Sequence, residues 1–108
     1  MMEVEGAAEG TRVLRLAGPL VLSGVFGFQA KMREDNSRVL ILDFTDVPLV
    51  DSAGIGALVG AYVSRQHDGR RLALVAVNQR IHNALEVTRV ESLFHFFSSI
   101  PEAEKGKE

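Results

Sequence analysis

Two apolar runs, Val39-Leu40-Ile41-Leu42-Asp43-Phe44 with one late acid and Leu72-Ala73-Leu74-Val75-Ala76-Val77 with none, constrain this chain more than any other feature. A strand that does not alternate apolar with polar residues has to be covered on both faces, which is the position of a central strand in a parallel sheet. Between the runs, Ile55, Leu58, Val59, Tyr62 and Val63 stand at i, i+3, i+4, i+7 and i+8, the spacing of an amphipathic helix with that apolar set turned inward. Asp68-Gly69 ends the helix. Strand, helix and strand in this order predict two parallel neighbours joined by a crossover.

The flanking segments extend the pattern. Arg12-Val13-Leu14-Arg15-Leu16 alternates as a half-buried strand does, and Gly18-Pro19 breaks it. Ser23 is placed to cap a helix running to about Glu34, with Leu22, Val25, Phe28 and Met32 at helical spacing and Asp35-Asn36-Ser37 closing it. Gln79 to Val87 reads as a third helix with Ile81, Ala84 and Leu85 inward. Leu93 to Phe97 reads as a last short strand, and Pro101 fits the first position of a charged final helix or tail over 101–108. Met2 to Glu5 suits a short edge strand, followed by a turn over Gly6 to Gly10. The expectation is one α/β domain over residues 1–108 with its core at about 12–100. Its sheet should be mixed, with four to five strands, and its four or so helices should pack mainly on one face.

Several function classes find no support in the composition. The chain has no Cys, hence no disulfide framework, thiol nucleophile or Cys-based zinc site. A formal net charge of −2 supplies no basic field for nucleic acid. Arg65, Arg70 and Arg71 cluster where a helix should give way to a strand, and there they suit the negative end of the helix dipole. The apolar runs fall well short of the ~20 residues that span a bilayer. Met1 to Gly10 has neither the basic nor the apolar region of a signal peptide. A cytoplasmic protein without membrane insertion is expected. His67, His82 and His95 lack the i, i+4 pairing of a helical zinc motif. A nucleophile elbow would need glycine where Val50 stands, two residues before Ser52. Gly54, Gly56 and Gly60 miss the dinucleotide fingerprint by one residue. No enzyme activity, cofactor or metal is expected.

What remains is Asp51-Ser52-Ala53-Gly54, just ahead of the central helix. Ser52 is placed as its N-cap. Ala53, Gly56, Ala57, Gly60 and Ser64 run along the side of the helix opposite its apolar set. Three glycines inside a helix cost roughly 2–3 kcal/mol. Close approach of another surface would compensate that cost, and so would packing of the helix against its own sheet. A phosphate on Ser52 would add about two negative charges at a helix N-terminus, where the dipole tolerates them.

The segment VLILDFTDVPLVDSAGIGALVG, Val39 to Gly60, resembles the signature of STAS domains, named for sulfate transporters and anti-sigma factor antagonists. The resemblance runs from about Arg12 to Ile100, and RRLALVAVNQRIHNALEVTRVESLFHFFSSIPEA is similar to the family's closing strand, helix and tail. It implies that Ser52, directly after the motif aspartate, is phosphorylated by a serine kinase that is itself an anti-sigma factor. It further implies that the unphosphorylated domain binds that partner and that a serine phosphatase resets the cycle. The partner-binding residues it implies are Asp51, Ser52, Ala53, Gly54, Gly56, Ala57 and Gly60, with Val21 and Ser23 in the preceding loop. In antagonists that loop carries Gly-x-Leu-Asp, whereas here Gly18-Pro19-Leu20 is followed by Val21. Gly-Pro-Leu followed by apolar residues is similar instead to the STAS tails of sulfate transporters. The alternative is therefore an unphosphorylated STAS scaffold subunit of a transporter, such as a lipid-transport ATPase, or of a signalling complex.

Overall fold

The computed structural model describes the backbone of residues 2–6 and all of residues 10–106. β1 (Met2–Gly6) and β2 (Thr11–Ala17) pair antiparallel, with Val4 opposite Leu14. β3 (Val39–Asp46), β4 (Arg71–Val75) and β5 (His95–Phe97) then join in parallel, giving the order β1-β2-β3-β4-β5. The crossovers are α1 (Leu22–Glu34), α2 (Ser52–His67) and α3 (Gln79–Val87), and α4 (Ile100–Lys105) follows β5. The expected mixed α/β sheet is present, with one antiparallel edge strand.

Register explains why β3 and β4 are apolar throughout. Leu14, Leu42 and Leu74 form one row across the sheet, and Val13, Ile41 and Ala73 the next. Successive side chains point to opposite faces. The leucine row packs with Val25 and Phe28 of α1, Leu58 of α2, and Ile81 and Leu85 of α3. The second row, with Val75, packs with Ala103 of α4 on the other face. The one acid in the β3 run, Asp43, is buried because it accepts hydrogen bonds from the Thr45 amide (3.0 Å) and hydroxyl (2.6 Å) and pairs with Arg15 at 3.4 Å.

Four expectations need correction. Val63, placed inward by periodicity, is 56% exposed, and Ala57, Ala61 and Arg65 are buried in its stead. The helix packs against α1 as well as the sheet, which turns its covered arc toward the small residues that let α1 come close. Leu22, also placed inward, is 65% exposed. Arg65 is no surface cation serving the helix dipole. Its Nε donates to Arg71 O (2.9 Å), Nη1 to Asp35 Oδ2 (2.9 Å) and Nη2 to Ser37 O (2.7 Å), so the buried guanidinium ties α2 to the ends of α1 and β4. β4 stops at Val75 because Ala76 takes φ of 59° while its amide donates to Phe97 O. Most of the turn expected over Gly6 to Gly10 and the last two residues of the tail lie outside the described residues.

Candidate functional site

Two loops meet at the carboxyl end of the sheet. The one after β2 carries Leu20, and the one after β3 carries Leu49, Val50 and Asp51. Leu20 N donates to Leu49 O (3.1 Å) and Asp51 N to Leu20 O (3.3 Å), so the loops pair like a short extension of the parallel strands. Asn78, ahead of α3, braces the second loop by donating to Val47 O (3.3 Å) and Pro48 O (3.1 Å).

The pairing puts the Asp51 carboxylate between two helix N-termini. Oδ1 accepts from Gly54 N at 2.8 Å and Oδ2 from Leu22 N at 3.2 Å. Asp51 is therefore the N-cap of α2, and it also serves the first residue of α1. This corrects two sequence expectations. Ser52 is not the cap but the first helical residue, and it is exposed. Ser23 is not a cap either, since Val21 holds that position of α1 without a side-chain bond. Asp51 prevails because its backbone is extended (φ −104°, ψ −174°), the geometry from which a carboxylate reaches the amide three residues on.

The Gly54 amide, more than any other group, holds the Asp51 carboxyl below its ordinary pKa of 3.8, with the Leu22 amide acting in the same direction. The folded chain therefore binds this proton less readily than the unfolded chain does. The cap's contribution is complete above 3.8 and disappears as pH falls through the lower folded value. Amide exchange at Leu22 and Gly54, corrected for its intrinsic pH dependence, should accelerate relative to Leu42 and Leu74 as pH drops from about 5 to about 2. Equal acceleration at all four amides would contradict this role for Asp51.

The glycines of α2 differ sharply. A Cβ on Gly54 would lie 2.1 Å from Leu20 O, so the loop crossing above it requires a glycine there. Gly56 and Gly60 have nothing within 4 Å of that position. Of the residues the resemblance marks for partner binding, Ser23, Ser52, Gly56 and Gly60 are exposed and Val21, Asp51 and Ala53 are half-buried. Gly54 and Ala57 are buried and shape the fold instead, Ala57 in the core beside α1. Sequence reasoning missed Phe26, 76% exposed and one turn beyond Leu22. The signal was weak: Val25 and Phe28 take the inward positions of that turn, and Phe26 lies between them in sequence.

Among the described residues, no group of three or more His, Cys, Asp and Glu is placed to hold a metal ion, and no helix is long and apolar enough to cross a membrane. His82 instead packs its ring on Phe96 (4.3 Å between centroids), with Nδ1 3.0 Å from Glu91 Oε2.

A family model described as the STAS domain matches residues 3–103. The anti-sigma-B factor antagonist of Staphylococcus aureus (strain NCTC 8325 / PS 47) is 30% identical over 64 residues, 59% of this chain, and the match spans 59% of that protein's length. Among solved structures, a putative anti-sigma factor antagonist from Thermotoga maritima superposes with a TM-score of 0.87 at 19% identity, covering 96% of this chain and 92% of that one. The Bacillus cell fate determinant SpoIIAA in its phosphorylated form superposes with a TM-score of 0.74, also at 19% identity, covering 96% of each chain. Identities this low speak for the fold alone.

Proposed function

The chain belongs to the STAS domain family, and from that premise we propose that it is a regulatory protein-binding domain of the anti-sigma factor antagonist type, switched by phosphorylation of Ser52. Its partner is an anti-sigma factor with serine-kinase activity, which supplies the ATP chemistry, and a serine phosphatase reverses the mark. The chain itself performs no catalysis. One observation carries this reading: Ser52 is exposed in the first turn of α2 while Asp51 does the capping. The serine has no structural duty there, so a phosphate adds charge without removing a cap. The positive end of the helix dipole further eases the charge. The curated relative's name supports the reading.

Because Ser52 does not cap, Ser52→Ala should change stability by no more than about 0.5 kcal/mol. Its urea midpoint should overlay that of the unsubstituted chain, and a loss above about 1 kcal/mol would return the capping role to the serine.

Val21 favours a second reading, because the loop beside Asp51 lacks the acid that antagonists carry there. In that reading the domain is an unphosphorylated scaffold in a transporter or signalling complex. Incubation with each anti-sigma-type serine kinase of the host organism and ATP, followed by peptide mass spectrometry, separates the two. Phosphate on Ser52, with Ser23 and Ser64 unmarked, is the expected result. Ser52 unmodified by every such kinase would transfer the case to the scaffold.

A further inference from the structure

The chain is 24% charged, yet α1 carries no charged residue from Leu22 to Ala30 and α2 none from Ser52 to Ser64. Charges resume at Lys31 and Arg65, in the distal parts of both helices. α1 and α2 pack side by side, and Asp51 joins their N-terminal ends by accepting from the first amide of one and the third of the other. That carboxylate, occupied by two amides, lies in the seam between these helix starts. On the charge-free stretch of α1 stand Leu22 and Phe26, 65% and 76% exposed. At i and i+4 they share one face.

We propose that Leu22 and Phe26 are the apolar anchor of the same partner surface that recognises Ser52, so that the partner presents an uncharged, apolar patch spanning the N-terminal halves of both helices. This rests on the reading of Ser52 given above. The occupant follows from continuity. A partner that reaches the Ser52 hydroxyl covers roughly 800 Å² of this chain, a disc about 30 Å across. The Leu22 amide lies 3.2 Å from the carboxylate of Ser52's neighbour, and Phe26 follows about one 5.4 Å helical turn later, so both fall well inside that footprint. The chemistry agrees, since interface centres are poor in charge and rich in aromatic residues, and a few such residues carry most of the affinity. A phosphate on Ser52 would have to be desolvated beside this apolar contact, which would weaken the complex.

The test uses the purified kinase that marks Ser52, held with a non-hydrolysable ATP analogue and titrated with the full chain by calorimetry. Phe26→Ala should weaken binding at least tenfold and Leu22→Ala several-fold, with urea midpoints unchanged because both side chains are exposed. Val87→Ala removes an equally exposed residue of α3 (80%) and should stay within a factor of two. If Phe26→Ala also stays within a factor of two while phosphate on Ser52 still weakens binding, the anchor is wrong and the switch stands. If neither change weakens binding, or no kinase marks Ser52, the reading of Ser52 has failed and the anchor falls with it. Sedimentation of the chain with phosphatidylcholine vesicles, abolished by Phe26→Ala, would overturn the proposal in favour of a lipid surface.

Discussion

Gly54→Ala is expected to cost roughly 3 kcal/mol or more, at the severe end of overpacking substitutions. In an ordinary helix the change gains about 1 kcal/mol. Here the new methyl would sit 2.1 Å from Leu20 O and 3.1 Å from Leu20 C, and backbone has no rotamer with which to escape. Moving Leu20 breaks its bonds with Leu49 and Asp51, which in turn displaces the carboxylate from the Leu22 amide. Gly56→Ala and Gly60→Ala provide the contrast. Both positions are open, so each should be neutral or stabilising by up to about 1 kcal/mol. Urea denaturation of the three variants tests the pattern. A Gly54→Ala midpoint equal to that of Gly56→Ala would show that the loop does not cross α2 as described.

Leu58→Ala is expected to cost about 2–5 kcal/mol. Leu58 is fully buried in the cluster formed with the sheet's leucine row and with Phe28 of α1. The truncated side chain would leave a cavity walled by sheet and helices, which relax toward it only in part. Against the 5–15 kcal/mol typical of a small domain, the loss is a large fraction of the whole. A midpoint unchanged by this substitution would place α2 elsewhere.

The sequence makes the sheet readable because its strongest signals are local. Val39 to Phe44, apart from Asp43, and Leu72 to Val77 are apolar throughout, and a helical period separates them. The position of the candidate site was equally legible, since Asp51 and Ser52 directly precede that period. The division of labour between them was not. Either residue can cap a helix, and the choice depends on which one adopts extended backbone, a matter settled by the Leu20–Leu49 loop pairing about thirty residues apart in the chain. Arg65 escaped for the same reason. Its burial is intelligible once Asp35 and Ser37 are known to meet it, and nothing near Arg65 in sequence announces them. The face of α2 was misjudged at Val63 because periodicity ranks large apolar residues above alanine, whereas a helix packed against both a sheet and another helix buries Ala57 and Ala61 first.

Charge at Ser52 is proposed to govern partner binding on an otherwise intact domain. The affinity of stoichiometrically Ser52-phosphorylated chain, against unmodified chain, for the proposed serine-kinase anti-sigma factor decides it. A genuine phosphate is needed because the single carboxylate of Ser52→Asp imitates a dianion poorly. The expected result is at least a tenfold weaker complex for the phosphorylated chain, with both forms equally folded by circular dichroism. Affinities within a factor of two of each other would contradict it.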